Sequence, residues 1–401
     1  MTEPAVPTRR PVVTWVICVG AIAAIVVVGL AWPRGSWHRS GAPLAVSGWA
    51  PYWQTDEALA SFEANADLFS DVSLVAYSAT DATTIATSDN LPATALGALR
   101  AAATAHRVPL LATIVDASTK GTMAAVLANP SQRAAHISTI VNLIREGNFD
   151  GVDLDYEKFA FADDRATWAA TRPNWVRFIT ELGAALHPLG KQLVVSVPPS
   201  YDAGRTADSG YWVYDIAAIA KVVDRIRVMA YDYSTSEPGP IAPIRWVERV
   251  AAASAKLAPP DKIDLGIPAY GYDWVAGVAG TCPTDQTPKR QSISTARAQR
   301  ELAARAQTPT RNTSTAELQY DYYVTLTGAG ANGATVSCTV ARTVRFLDAQ
   351  ALHQRAYVAD RQQLHGVSVW ALGGDDAATW QGLRAAQRNE PVWPSVTTPA
   401  S

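Results

Sequence analysis

Polar and apolar positions along the chain follow two rhythms that take turns. From residue 44 onward, short β-rich apolar runs recur at 45–49, 72–77, 109–115, 151–157, 192–197, 225–233, 263–270 and 366–372. Between several of them lie stretches with apolar residues at helical spacing, such as 132–146, 174–186 and 244–257. Strands that alternate with helices imply βαβ units and a parallel sheet. Eight such units predict an α/β fold of the closed (β/α)8 TIM-barrel type over 44–390, with its active site at the C-terminal ends of the strands. One interval is far longer than a helix and two loops need, because the seventh run ends at Tyr270 and the eighth begins at Gly366. Its excess, about 275–343, contains a helical stretch (295–307) and two alternating segments (318–327 and 334–344) joined by a Gly-rich turn. This predicts a small α+β insertion after strand seven. The turn formally matches G-x-G-x-x-G at Gly328, Gly330 and Gly333, but no helix follows, so it reads as a hairpin loop and not as a dinucleotide site.

The N-terminal rhythm is different again. No charge interrupts the chain between Arg10 and Arg34. As a helix, residues 12–32 would span about 31 Å, which matches the ~30 Å hydrocarbon core of a bilayer. The run is long for a signal-peptide core, and bulky Trp32 stands where a small-x-small cleavage site would fall. The expectation is a cytoplasmic tail (1–11), an uncleaved transmembrane anchor (12–32), a linker (33–43) and an extracytoplasmic body; secretion after signal cleavage is the alternative. Arg9 and Arg10 before the span balance Arg34 and Arg39 after it, so the orientation rests on where the globular part lies. The Pro/Thr/Ser segment 391–401 is expected to be a disordered tail.

Composition narrows the function classes. With 34 basic and 36 acidic side chains the formal charge is −2, and charged residues are 17% of the chain. That excludes a disordered polyelectrolyte and removes the basic excess of a nucleic-acid binder. Lys289 and Arg290 are too few for an electrostatic patch. The histidines form no H-E-x-x-H pair and no cluster with cysteine, so neither a metal nor another cofactor is expected. Apart from Cys18 in the apolar run, the cysteines are Cys282 and Cys338, both inside the insertion. In an exported protein they read as one disulfide, with two unrelated buried thiols as the alternative.

The segment Asp150-Gly151-Val152-Asp153-Leu154-Asp155-Tyr156-Glu157 carries the chemistry. Strand side chains alternate, so Asp153, Asp155 and Glu157 share one face and Val152, Leu154 and Tyr156 the other. In a barrel the apolar face meets the helices and the acidic face points inward. Carboxylates ~6.6 Å apart along a buried face are costly as ions and push their pKa values apart, which leaves one acid neutral near pH 7. A solvated polar edge or a divalent-cation site are the blander readings; a polar edge would not explain the uncharged opposite face. Trp49, Tyr52, Trp53, Tyr270, Tyr272 and Trp274 lie near predicted strand ends, where each could stack on a sugar or simply pack.

The acidic run resembles the DxxDxDxE signature of glycoside hydrolase family 18, the chitinase-type barrels, where it occupies strand four. Met229-Ala230-Tyr231-Asp232 resembles the family's strand-six motif, and Trp370 its strand-eight tryptophan. The segments 231–243 and 265–274 are similar to the branch that includes spore-cortex-lytic and other cell-wall glucosaminidases. The resemblance covers about 45–385. It implies that Glu157 is the general acid, that Asp155 holds the acetamido N–H, and that Asp153 shares a proton with Asp155. It further implies that Tyr231 donates to the acetamido oxygen, that Asp232 contacts sugar hydroxyls, and that Trp370 floors the reacting subsite. Tyr52, Trp53, Tyr270 and Tyr272 are the further candidates for substrate binding. The function so implied is hydrolysis of β-1,4 linkages in an N-acetylated amino-sugar polysaccharide, peptidoglycan or chitin, with the substrate's own acetamido group as nucleophile. A non-catalytic sugar-binding protein on the same barrel is the alternative. The expected partners are this polysaccharide and, through the N-terminal helix, the membrane, with no nucleic acid.

Overall fold

The structure, a computed structural model, describes residues 43–199 and 210–390. The expected cytoplasmic tail, the transmembrane anchor with Cys18, nearly all of the linker, and the C-terminal tail lie outside the described residues. Among the described residues no helix is long and apolar enough to cross a membrane.

The strands in chain order are β1 (Ala45–Pro51), β2 (Phe69–Ala79), β3 (Leu110–Asp116), β4 (Gly151–Asp155), β5 (Gln192–Val197), β6 (Arg225–Met229), β7 (Ile263–Pro268), β8 (Tyr270–Gly280), β9 (Gln291–Ser294), β10 (Glu317–Ala329), β11 (Thr335–Phe346) and β12 (Gly366–Trp370). Strands β1 to β7 pair in sequence and in parallel, β7 pairs with β12, and β12 returns to β1. Eight parallel strands therefore close into a barrel, as the alternating rhythms predict. The main helices are α1 (Thr55–Ala64), α2 (Ala95–His106), α3 (Pro130–Glu146), α4 (Trp168–Leu186), α5 (Ile244–Leu257), α6 (Thr295–Ala304), α7 (Ala349–Arg361) and α8 (Ala377–Gln387).

Local chemistry sets the helix ends and faces. Asn129 caps α3 by accepting from the N–H groups of Ser131 and Gln132, with Pro130 in the first turn, where no donor is needed. On α4, Trp175, Phe178, Ile179, Leu182 and Leu186 recur at three- and four-residue steps and are all buried. Trp175 and Phe178 pack against Tyr156, just past the end of β4, and Val152, Leu154 and Tyr156 are all fully buried. Burying an aliphatic side chain of this size is worth about 1.5–3 kcal/mol. Tyr156 is placed by its hydroxyl, 2.7 Å from Nε2 of His136, whose own burial pushes its pKa down to about 4. With its outer face fixed in this way, β4 must turn Asp153 and Asp155 toward the barrel interior.

The insertion is a five-stranded antiparallel sheet in the order β9, β8, β11, β10 and the short strand Thr310–Asn312, with α6 packed on it. Its own core includes Ile293, Leu302, Leu318, Tyr320, Val344 and Phe346. The sheet runs from Tyr270 to Phe346, wider than the 275–343 expected from the sequence. The difference arises because β7 stops at Pro268 and the next strand starts almost at once. Gly271 permits this: a Cβ there would lie 1.9 Å from the carbonyl oxygen of Arg345 on β11. Cys282 and Cys338 are joined in a disulfide beside the β8–β11 pairing. The Glu317 carboxylate accepts from the N–H groups of Ile241 and Ala242, at 2.8–3.1 Å, and so ties the insertion to the loop that follows β6.

Candidate active site

The C-terminal ends of β4, β5, β6 and β12 and the start of β8 open into one cavity of about 810 Å³. Asp155 ends β4 and Glu157 stands two residues beyond it; Tyr231 and Asp232 follow β6, Tyr270 and Tyr272 begin β8, and Trp370 ends β12. Gly266 on β7 makes room for the Tyr231 ring, since a Cβ there would meet that ring at 3.0 Å. Trp370 is held edge-on between Trp49 and Trp53, with ring centres 5.8 and 6.2 Å away.

One layer below the cavity, Asp153 is fully buried and surrounded by donors. Trp49 Nε1 and Arg227 Nη1 each donate to its Oδ2 at 2.7 Å, Thr113 adds a longer contact at 3.3 Å, and Ser196 donates to Oδ1 at 2.8 Å. No hydrogen bond joins Asp153 to Asp155. Instead, Oδ1 of Asp155 is buried with no hydrogen-bond partner. Burial raises the Asp155 pKa well above the usual carboxylate range, and the charges of Glu157 and Asp153 add to the effect. Burial, and next the Asp232 carboxylate, lift Glu157 to about 7. The site thus holds an acid that is half protonated near neutrality, beside a second carboxyl group with an unfilled oxygen. Tyr231 is kept protonated by burial and by the surrounding carboxylates. Asp232, in the left-handed region at φ 56°, accepts from the hydroxyls of Tyr270 and Tyr272, the latter at 2.8 Å.

The structure thus brings Asp155, Glu157, Tyr231, Asp232, Tyr270, Tyr272 and Trp370 to one cavity, with Asp153 directly beneath. It separates the other aromatic candidates from them. Tyr52 and Trp53 line a different groove, of about 430 Å³, although Trp53 is 55% exposed and stands next to Trp370. Trp49 and Trp274 are buried and cannot offer a face to a sugar, because their indole N–H groups are committed to Asp153 and to the Thr235 carbonyl. Among the described residues no cluster of His, Cys, Asp and Glu could hold a metal ion.

Sequence reasoning missed Arg227. It is fully buried on β6, and its Nη1 donates to Asp153 and to Ser73 at 2.7 Å, while Nη2 pairs with Asp71. Burial alone would lower its pKa, but Asp71, Asp153 and Asp264 outweigh that and raise it. The signal was present: in Arg225-Ile226-Arg227-Val228-Met229 the alternation that turns Ile226 and Val228 outward must turn Arg227 into the barrel. Replacing Arg227 by Met would keep the volume and strand these carboxylates without their cation. Breaking a buried pair from one side costs about 3–5 kcal/mol. The urea midpoint of Arg227→Met should fall accordingly, and a change within about 1 kcal/mol would show that the carboxylates do not depend on it.

The sequence profile of Glycosyl hydrolases family 18 matches residues 35–375. Among curated proteins, the chain is 25% identical over 261 residues to an uncharacterized glycosylase of Bacillus subtilis, YvbX, covering 65% of this chain and 67% of that protein. It is 24% identical over 253 residues to the cortical fragment-lytic enzyme of the same organism, covering 61% and 51%. Across the first such relatives the chain spans 39 to 67% of their length. Among solved structures, a chitinase from Chromobacterium violaceum superposes with a TM-score of 0.68 at 24% identity, covering 86% of this chain and 98% of that one, a likeness of fold.

Proposed function

From the premise that the chain belongs to the glycosyl hydrolases of family 18 and is a glycoside hydrolase, we propose that it cleaves β-1,4 linkages next to an N-acetylated amino sugar, in peptidoglycan or chitin, with the acetamido group as nucleophile. The observation that carries this reading is the Asp155–Glu157 pair: a carboxylic acid lifted to about 7 beside a buried carboxyl oxygen that no protein donor fills. Glu157 gives its proton to the glycosidic oxygen as the bond to the anomeric carbon breaks. The acetamido carbonyl oxygen closes on that carbon, and Asp155 takes the amide N–H whose partner the protein omits. The Tyr231 hydroxyl donates to the same carbonyl oxygen and orients it. Water then attacks the anomeric carbon and yields its proton to the Glu157 carboxylate, which opens the ring and restores the acid. Two inversions at one carbon retain the configuration. Asp153, fixed by its four donors, adds the negative field that raises Asp155. Trp370 floors the reacting subsite; Asp232 reads hydroxyls from its seat on Tyr270 and Tyr272, and Trp53 extends the apolar surface outward. We further assign the apolar stretch 12–32 as an anchor that holds the enzyme outside the cytoplasmic membrane, which cell fractionation would test.

The direct test is to incubate the enzyme with N-acetylglucosamine oligomers and with purified peptidoglycan, and to identify the products by mass. Release of shorter glycans from at least one is expected; hydrolysis of neither would reject the reading. The pH profile tests the acid itself. Glu157 must be protonated to act, and its pKa is raised, so kcat/KM should hold below about 7 and fall as the pH rises through it. Asp232→Asn removes a charge that raises this pKa, so the falling limb should move to lower pH. A wild-type limb at the ordinary 4.5 would contradict the assignment.

A further inference from the structure

We propose that Arg290 is a specificity residue that binds a carboxylate on the substrate, so that the preferred glycan is the anionic one, in which alternate sugars carry an ether-linked lactyl acid. This rests on the hydrolase reading above and deepens it. Among the described residues that line the cavity, Arg290 is the one cation, in company with Asp155, Glu157 and Asp232. Its guanidinium lies over the Tyr272 ring, 4.4 Å from the ring centre, and one N–H donates to the Thr235 carbonyl at 2.9 Å. Tyr272 in turn donates to Asp232, so the cation stands one aromatic ring away from the residue assigned to sugar hydroxyls. Among the described residues Arg290 makes no ion pair, and the side chain is exposed, so the rest of its fork is open to solvent and to a ligand. A guanidinium held over a ring and anchored by one bond is partly ordered already, so less freedom is lost when its fork takes a carboxylate.

Charge gives the second reason. A cavity with three acidic groups disfavours an anionic ligand unless a cation meets it, whereas a neutral chitin-type chain can accept hydrogen bonds from a guanidinium but gains no bidentate ion pair. An alternating glycan with a lactyl carboxylate beside the reacting N-acetylated sugar meets both conditions: the acetamido group faces Asp155, and the acid has a cation to meet.

The experiment compares kcat/KM for three oligomers of equal length: the alternating glycan with its lactyl acids free, the same glycan with those acids converted to methyl amides, and the neutral N-acetylglucosamine chain. Wild-type enzyme should prefer the free acid to its methyl amide, and salt should weaken the preference. Arg290→Gln should lower that ratio about tenfold, chiefly through KM, the scale of one charge-assisted contact partly open to water. Arg290→Lys should keep part of it. Equal loss on free acid and amide would make Arg290 a brace for the Thr235 loop and overturn the proposal, as would an unchanged ratio. Hydrolysis of none of the three would remove the hydrolase reading itself, a separate failure.

Discussion

Glu157→Gln should lower kcat on an N-acetylated glycan by about 10²- to 10⁴-fold, the range that general-acid catalysis contributes, while KM changes little. The substitution keeps the shape of the side chain and removes the transferable proton. The size of the effect follows from the leaving group, because an alkoxide expelled without a proton is a poor one near neutral pH. That Glu157 carries the proton follows from its surroundings: burial at the barrel mouth and the nearby Asp232 charge lift it to about 7. The residual activity of the variant should be flat across the pH range in which wild-type activity falls, since the titrating group is gone, so the loss should shrink as the pH rises. Binding of a non-hydrolysed oligomer, followed by calorimetry, should survive. Turnover within a few-fold of wild type on every glycan tried would remove Glu157 from the role, and loss of binding together with turnover would make its part structural.

The barrel was legible in the sequence because its signal repeats. Eight apolar runs set against amphipathic helices leave few other closed arrangements, and the acidic face of 151–157 could only turn inward once Val152, Leu154 and Tyr156 were given to the helices. The candidate acidic group was legible in part for the same reason, since Asp153 and Asp155 share one strand, although that strand stops at Asp155 and Glu157 stands beyond it in helical backbone. What stayed hidden depends on contacts between distant segments. Arg227 meets Asp153 and Asp71 only after β2, β4 and β6 have closed round a common axis. Near strand ends Trp49 and Trp274 could have stacked on a sugar or packed; both are buried, with their indole N–H groups bonded to Asp153 and to the Thr235 carbonyl, and one-dimensional pattern does not give that orientation. Arg290 was too little charge for a patch, and its place over Tyr272 within the cavity follows only from the β8–β9 pairing beside it. The insertion began earlier than expected because Gly271 allows a close strand contact that hydropathy does not report.

The second large effect concerns the nucleophile. A retaining enzyme of the two-carboxylate type needs a side-chain carboxylate ~5–5.5 Å from the acid. Asp155 lies two residues from Glu157 on the same chain segment, so distance alone does not separate the two schemes, but charge does. Burial and the neighbouring Glu157 and Asp153 push Asp155 well above the usual carboxylate range, which disfavours the free anion that would attack carbon, while its buried, unpartnered Oδ1 is open to accept an amide N–H. If the substrate's acetamido group attacks, the reaction at the anomeric carbon is intramolecular, and properly oriented reactions of that kind gain up to ~10⁵ M or more in effective concentration. Asp155→Asn and Tyr231→Phe should then lower kcat more than they weaken binding, because both residues act by orienting the amide. The measurement that bears most directly on this is hydrolysis, at saturating concentration, of two matched oligomers whose reacting sugar carries either a 2-acetamido group or a 2-hydroxyl. The acetamido oligomer should be cleaved with retention, and the 2-hydroxy oligomer should be slower by at least about 10³-fold, since it has no internal nucleophile. Comparable cleavage of the two, or a sugar trapped covalently on Asp155, would contradict the account.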